Sequence, residues 1–205
     1  AKTALMLRAT PHLLENAVSF VAEQDSLNAS VLGPDAAPGT PEFDLFIKEA
    51  HREMTTKAGQ KCTAIRRIIA PAAHVDAVID ALSARLSKTR IGDPREKDTR
   101  MGPLVSTSQR DDVLEKVALL RTQAERVHGN PDDFTVHGAD AAKGAFLPPM
   151  LFHCADPDSA THVHDTEAFG PVSTVMPYRD TAHATQLLNR GKGSLVASVI
   201  TRDGA

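Results

Sequence analysis

Short apolar runs alternate along this chain with longer stretches whose apolar residues recur three and four positions apart, and that alternation narrows the fold more than any other feature. Runs such as Ala64–Ala70 suit strands covered on both faces, and the 3.6-residue periodicity suits helices that cover them. Alternating elements of this kind predict an α/β fold, an open and mostly parallel sheet with helices on both faces.

The pattern predicts strands over Ala17–Ala22, Ser30–Leu32, Ala64–Ala70, Thr135–His137, Phe146–Phe152, Val172–Pro177 and Leu195–Thr201. Ahead of them, between Lys2 and Leu14, a short helix runs up to Pro11, and a surface loop with three prolines spans Gly33 to Pro41. Thr40 then offers an N-cap with Pro41 at the first helical position, ahead of the periodic Phe43, Phe46, Ile47, Ala50 and Met54. Helices also follow Pro71 (Val75, Val78, Ile79, Leu82, Leu86) and Ser108 (Val113, Val117, Leu120, Ala124), and a last one spans Ala182–Asn189. Arg66 and Arg67, inside one apolar run, leave open which of its sides faces solvent.

The chain has 205 residues, 41% of them hydrophobic, enough for a packed core. A net charge of −3 gives no bulk attraction to nucleic acid or to an anionic membrane. Two cysteines make no disulfide framework, and no long uncharged apolar run or secretory leader is visible, so the expected setting is the cytoplasm. Cys154 has an acidic neighbour in Asp156 and reads as a bystander.

Cys62 is different. It stands in Ala58-Gly59-Gln60-Lys61-Cys62-Thr63-Ala64-Ile65-Arg66-Arg67, and with Lys57 the four cations around it would favour a thiolate, the form that attacks carbonyls. A lone cysteine near a helix end is more often a small buried apolar residue, so the charge alone does not decide. His162-Val163-His164-Asp165 would place two imidazoles on one face of a strand, but no second pair of ligands has useful spacing, and no metal is expected.

The letters around Cys62 resemble the Gly-Gln-x-Cys-x-Ala signature of the aldehyde dehydrogenase superfamily. Glu167-Ala168-Phe169-Gly170-Pro171-Val172 is similar to that family's Glu-x-Phe-Gly-Pro-Val motif, and Arg90–Pro94 and Met101–Val105 resemble two landmarks between them. The resemblance implies that Cys62 is the nucleophile, that Glu167 holds the nicotinamide ribose, and that Phe169 borders the nicotinamide of NAD or NADP, with NADP favoured. It further implies Glu23 as the general base, although the usual Glu-Leu-Gly-Gly-Lys is replaced here by Glu23-Gln24-Asp25-Ser26-Leu27, and Asp25 is a nearby competitor.

That variant resembles the aldehyde dehydrogenase part of the bifunctional proteins of phenylacetate degradation, and also the dehydroadipyl-CoA semialdehyde dehydrogenases of benzoate breakdown. Both imply a small aldehyde carried on coenzyme A, oxidised to the acid in a homo-oligomeric parent. By the same resemblance, residues 1–36 would end a coenzyme-binding domain and residues 37–205 would form most of a catalytic domain, with its C-terminus incomplete. The phosphate-binding loop and one oxyanion-hole asparagine would then lie outside the chain. Two rivals stay open: a CoA-acylating or acyl-hydrolysing enzyme sharing Cys62, and a structural piece without activity of its own.

Overall fold

The computed structural model describes residues 2–22 and 24–203. Glu23, the expected base, lies outside the described residues. Strands β1 (Ala29–Leu32), β2 (Arg67–Pro71), β3 (Glu125–His128), β4 (Met150–His153), β5 (Val172–Tyr178) and β6 (Ala197–Ile200) form one sheet in the order β3-β4-β5-β2-β1-β6. Every neighbouring pair is parallel except the edge pair β3 and β4. β1 falls within the first of the two expected segments and pairs with β2 and β6 of the second.

The helices are α1 (Lys2–Arg8), α2 (Pro11–Glu15), α3 (Pro41–Thr55), α4 (Val75–Leu86), α5 (Thr107–Leu120), α6 (His162–Asp165) and α7 (Thr181–Asn189). The period-two alternation of strand side chains divides the core into two layers. Ile68, Ala70 and Val175 pack on one face with Phe46, Met54, Val78 and Leu82 of α3 and α4. Ile69 and Met176 point the other way, to Val113 and Val117 of α5 and Leu187 of α7. Phe46 and Leu82 have no exposed surface, and each such side chain stabilises the fold by about 1.5–3 kcal/mol.

Capping chemistry sets the helix starts. Thr40 Oγ1 accepts from the Phe43 N–H at 3.2 Å, and Asp180 accepts from that of His183 at 2.8 Å. Ser106, rather than Ser108, caps α5 by accepting from the Gln109 N–H at 3.1 Å. Because β1, β2 and β5 run parallel, α3 and α4 must run back between them, so the ends of these helices and the segments entering the strands meet at the N-terminal edge of the sheet.

Several expected elements differ. Residues 18–22 form no strand, since no described segment pairs with them, and Val21 is 90% exposed. The first helix, α1, stops short of Pro11 as expected, but a second short helix, α2, starts at Pro11, where proline suits a helix's first turn and cannot continue the one before it. Thr135–His137 makes only a single bridge, from His137 to Gly92, whereas Glu125–His128, too polar to stand out, is the antiparallel edge strand. The strands expected from Ala64 and Phe146 begin only at Arg67 and Met150. His162–Asp165 is a helical turn, not a strand, with His164 buried against the Pro157 carbonyl at 3.0 Å.

Candidate active site

Beyond α3 the chain turns through Lys57, Ala58 and Gly59 at φ of 53°, 51° and 69°. For the two non-glycine residues this left-handed backbone costs about 1–2 kcal/mol each, so the surrounding bonds must hold it. At Gly59 a Cβ would overlap the Gly170 carbonyl oxygen, so the missing side chain is what lets the two loops touch. Gln60 fixes the turn from both sides, its Nε2 donating to the Lys57 carbonyl and its Oε1 accepting from the Val105 N–H, each at 2.9 Å.

This turn carries Cys62 to the surface, where its side chain is exposed. The fully buried Asn28 clamps the backbone beneath it. Asn28 Nδ2 donates to the carbonyls of Cys62 at 2.7 Å and Ala64 at 3.0 Å, and Oδ1 accepts from Ser26 Oγ and the Val196 N–H. Among the described residues the Cys62 N–H meets no acceptor, which leaves a donor beside the sulfur.

The motif at Glu167 joins this loop through Arg66. Its guanidinium donates to the carbonyls of Gly170 at 2.7 Å and Gly59 at 2.8 Å, reaches Glu167 Oε1 at 3.3 Å, and lies 5.5 Å from the Phe169 ring centroid. Glu167 Oε2 accepts from the Ser26 N–H at 3.1 Å, and Gln109 Nε2 donates to the Phe169 carbonyl at 3.1 Å. Burial pushes the Glu167 carboxyl above its usual range, against the opposing pull of Arg66.

Cys62, Glu167 and Phe169 thus line one cavity of about 710 Å³ with Gln24, Asp25 and Gln109. Each Glu167 oxygen uses one acceptor direction, leaving others for hydroxyl donors, and Phe169 supplies an apolar wall. A nicotinamide riboside end therefore fits these residues. Among the described residues no three His, Cys, Asp or Glu side chains are grouped to hold a metal ion, and no helix is long and apolar enough to cross a membrane.

The landmarks meet as well. Met101 bridges Ile91, the Gly92 N–H donates to the Met101 carbonyl at 3.1 Å, and Val105 in turn holds Gln60. Three of the four cations near Cys62 have other work than thiolate stabilisation. Lys61 pairs with Glu53 at 2.7 Å, Arg66 joins the two motifs, and Arg67, 1% exposed, donates to the carbonyls of Leu27, Leu187 and Leu188. The joining role of Arg66 and the clamp at Asn28 escape sequence reading, because their partners lie 101 and 34 positions away; the one signal was a charge inside an apolar run.

Residues 12–205 match the family model described as aldehyde dehydrogenase family. The chain is 50% identical, over its whole length, to 40% of a 3,4-dehydroadipyl-CoA semialdehyde dehydrogenase from Aromatoleum evansii. It is 45% identical over 105 residues, 51% of this chain, to 30% of Protein MaoC from Klebsiella aerogenes. An aldehyde dehydrogenase from Bacillus cereus solved with NAD+ superposes at a TM-score of 0.80 with 27% identity, over 94% of this chain and 36% of that one. The betaine aldehyde dehydrogenase of Staphylococcus aureus in complex with NAD+ gives 0.78 and 28%, over 94% and 37%. The chain therefore spans about two fifths of the length of these proteins or less.

Proposed function

Because the chain belongs to the aldehyde dehydrogenase family, we propose that it carries the nucleophile of an NAD(P)+-dependent enzyme that oxidises an aldehyde to a carboxylic acid. The observation that carries this reading is the convergence of exposed Cys62 with Glu167 and Phe169 on one cavity, held there by Asn28, Gln60 and Arg66.

Cys62 Sγ, as thiolate, adds to the aldehyde carbon and the carbonyl oxygen becomes an oxyanion. The Cys62 N–H donates to that oxyanion, one of the two donors such a site uses. A bound nicotinamide would supply the hydride acceptor. Glu167 would hold its ribose hydroxyls and Phe169 would border it, so that these two residues orient it toward Cys62. Loss of hydride leaves a thioester on Cys62, and water hydrolyses it with Glu23 as the base that takes the water proton. Cys62 is released as thiolate and the acid departs.

The substrate in this reading is a semialdehyde carried on coenzyme A. The similarity to a 3,4-dehydroadipyl-CoA semialdehyde dehydrogenase over the full chain supports that class, with the ring-opened semialdehyde of phenylacetate breakdown (3-oxo-5,6-dehydrosuberyl-CoA semialdehyde) as the second candidate. NADP is the cofactor suggested by the subfamily resemblance, whereas the solved neighbours hold NAD+.

The test supplies full-length protein with each CoA semialdehyde and NADP+ or NAD+, with and without free CoA. The expected product is the acid, unchanged by free CoA. A new CoA thioester, formed only with free CoA, would replace hydrolysis by acyl transfer and remove Glu23 from its role.

A further inference from the structure

A second cavity, of about 690 Å³, opens between the C-terminal parts of α3 and α4 and shares no lining residue with the Cys62 cavity. Five of its eight lining residues are Lys48, Arg52, Arg85, Lys88 and Arg100, and none is acidic, in a chain whose net charge is −3. Cations in the last turn of a helix offset its dipole, which accounts for Arg52 and Arg85 singly. It does not account for five cations from three segments lining one hollow, of which Arg100 also donates to the Lys97 and Thr99 carbonyls of its own loop. Lys48 and Arg52 lie at i,i+4 and Arg85 and Lys88 at i,i+3, spacings at which like charges repel within a helical stretch.

Arg52 is the partly neutralised member, 2.9 Å from Glu49 and 3.8 Å from Glu53. Among the described residues no carboxylate lies within 4.0 Å of the cationic groups of Lys48, Arg85, Lys88 or Arg100. His51, in the wall, is bonded to Thr89 at 3.0 Å, and Arg85 adds to burial in disfavouring its charged form, so the local field is positive. A hollow of this size takes a nucleotide-sized ligand, and unpaired Lys and Arg on several segments suit one with several phosphates.

Position ties the hollow to Cys62. Both α3 and α4 end at the N-terminal edge of the sheet, where the active-site loops gather, and the ion-pair chain Arg52, Glu53, Lys61 leads to the residue next to Cys62. We propose that this basic cleft binds the phosphates of a coenzyme A moiety, holding the carrier end of the substrate while its aldehyde end reaches Cys62. The proposal rests on the CoA-linked substrate class given above.

The experiment uses full-length protein and two double variants of exposed side chains, R85Q/K88Q and K48Q/R100Q. Calorimetry with CoA, adenosine 3′,5′-bisphosphate and NADP+ needs no turnover. The expected result is CoA and bisphosphate binding that weakens at least tenfold in both variants and steeply with salt, with NADP+ affinity kept. In kinetics, the ratio of kcat/KM for the CoA semialdehyde to that for its N-acetylcysteamine thioester should fall about tenfold. Unchanged CoA affinity in the variants, or equal weakening of NADP+, would overturn the assignment. If the variants lose CoA but wild type makes no acid from CoA semialdehydes, the cleft stands and the substrate reading fails. If acid forms while the variants keep CoA affinity, the cleft fails and the substrate reading stands.

Discussion

Replacing Arg66 by methionine removes a side chain that joins the Cys62 loop to the Glu167 motif at three points. Arg66 is 4% exposed and Glu167 7%, so the pair is largely shielded from solvent at the wall of the Cys62 cavity. Methionine keeps the apolar stem and deletes donors to the Gly170 and Gly59 carbonyls and to Glu167. Removing one partner of a buried ion pair costs about 3–5 kcal/mol, because the remaining charge stays buried without compensation. The two carbonyls left without donors act in the same direction, each by about 1–3 kcal/mol if taken alone, but these terms overlap and protonation of Glu167 caps the total. We expect a loss within the 3–5 kcal/mol range at pH 8. For a domain of this size about 2–4 °C of melting temperature goes with each kcal/mol, so the midpoint should fall by roughly 10 °C.

The pH dependence separates this cause from a simple packing defect. The Glu167 carboxyl is already raised from its usual 4.5 by burial, with Arg66 pulling it down. Without Arg66 it rises further, and between 4.5 and that raised value the folded protein holds a proton that the unfolded chain releases. Stability of the variant therefore falls as pH rises through this window, so its deficit is smaller at pH 5 than at pH 8. The assay is scanning fluorimetry of full-length protein at both pH values, with R66K, which keeps a cation but not the planar fork, melting in between. An R66M protein that melts with wild type, or whose deficit grows on acidification, would refute this reasoning.

In G59A the left-handed φ of 69° costs about 1–2 kcal/mol, and the new Cβ drives the Cys62 loop off the Gly170 carbonyl. Turnover should drop roughly 10²-fold, as small displacements of reacting groups do, and wild-type turnover in steady-state assays would count against the contact. The buried His164 imidazole is lowered from 6.5 to about 4 by burial first and by Arg190 and Arg67, against the pull of the Pro157 carbonyl. Between those values the unfolded chain binds a proton that the folded one does not, so about 3 kcal/mol is lost as pH falls from 6.5 to about 4. Urea midpoints of H164Q should therefore decline less than those of wild type over that range, and parallel declines would exclude His164 as the source.

What the sequence makes legible is what local periodicity encodes. The α3 boundary follows from Thr40-Pro41 and the spacing of Phe43, Phe46, Ile47, Ala50 and Met54, all buried as expected. Cys62, Glu167 and Phe169 stand out because each lies in a motif a few residues long, and the structure brings all three to one cavity. The edge strand Glu125–His128 is not legible, since one of its four residues is exposed, the other three are half-buried, and Glu, Arg and His carry no strand signal. Arg66 and Arg67 resist sequence reading for the opposite reason. A cation beside a cysteine suggests thiolate chemistry, yet both guanidiniums turn inward to carbonyls fixed by segments about 100 residues away. Only tertiary structure separates a charge that tunes a nucleophile from one that holds its loop.

The central claim is that Cys62 is the atom that takes the acyl group. Full-length protein is incubated with the CoA semialdehyde and NADP+ or NAD+, quenched in acid before the thioester turns over, and digested for peptide mass mapping. The account predicts an acyl mass on the peptide containing Cys62, increased in E23Q and absent in C62S. An adduct on Cys154, whose side chain is fully buried and whose thiol is pushed up by burial, or turnover that persists in C62S, would contradict it.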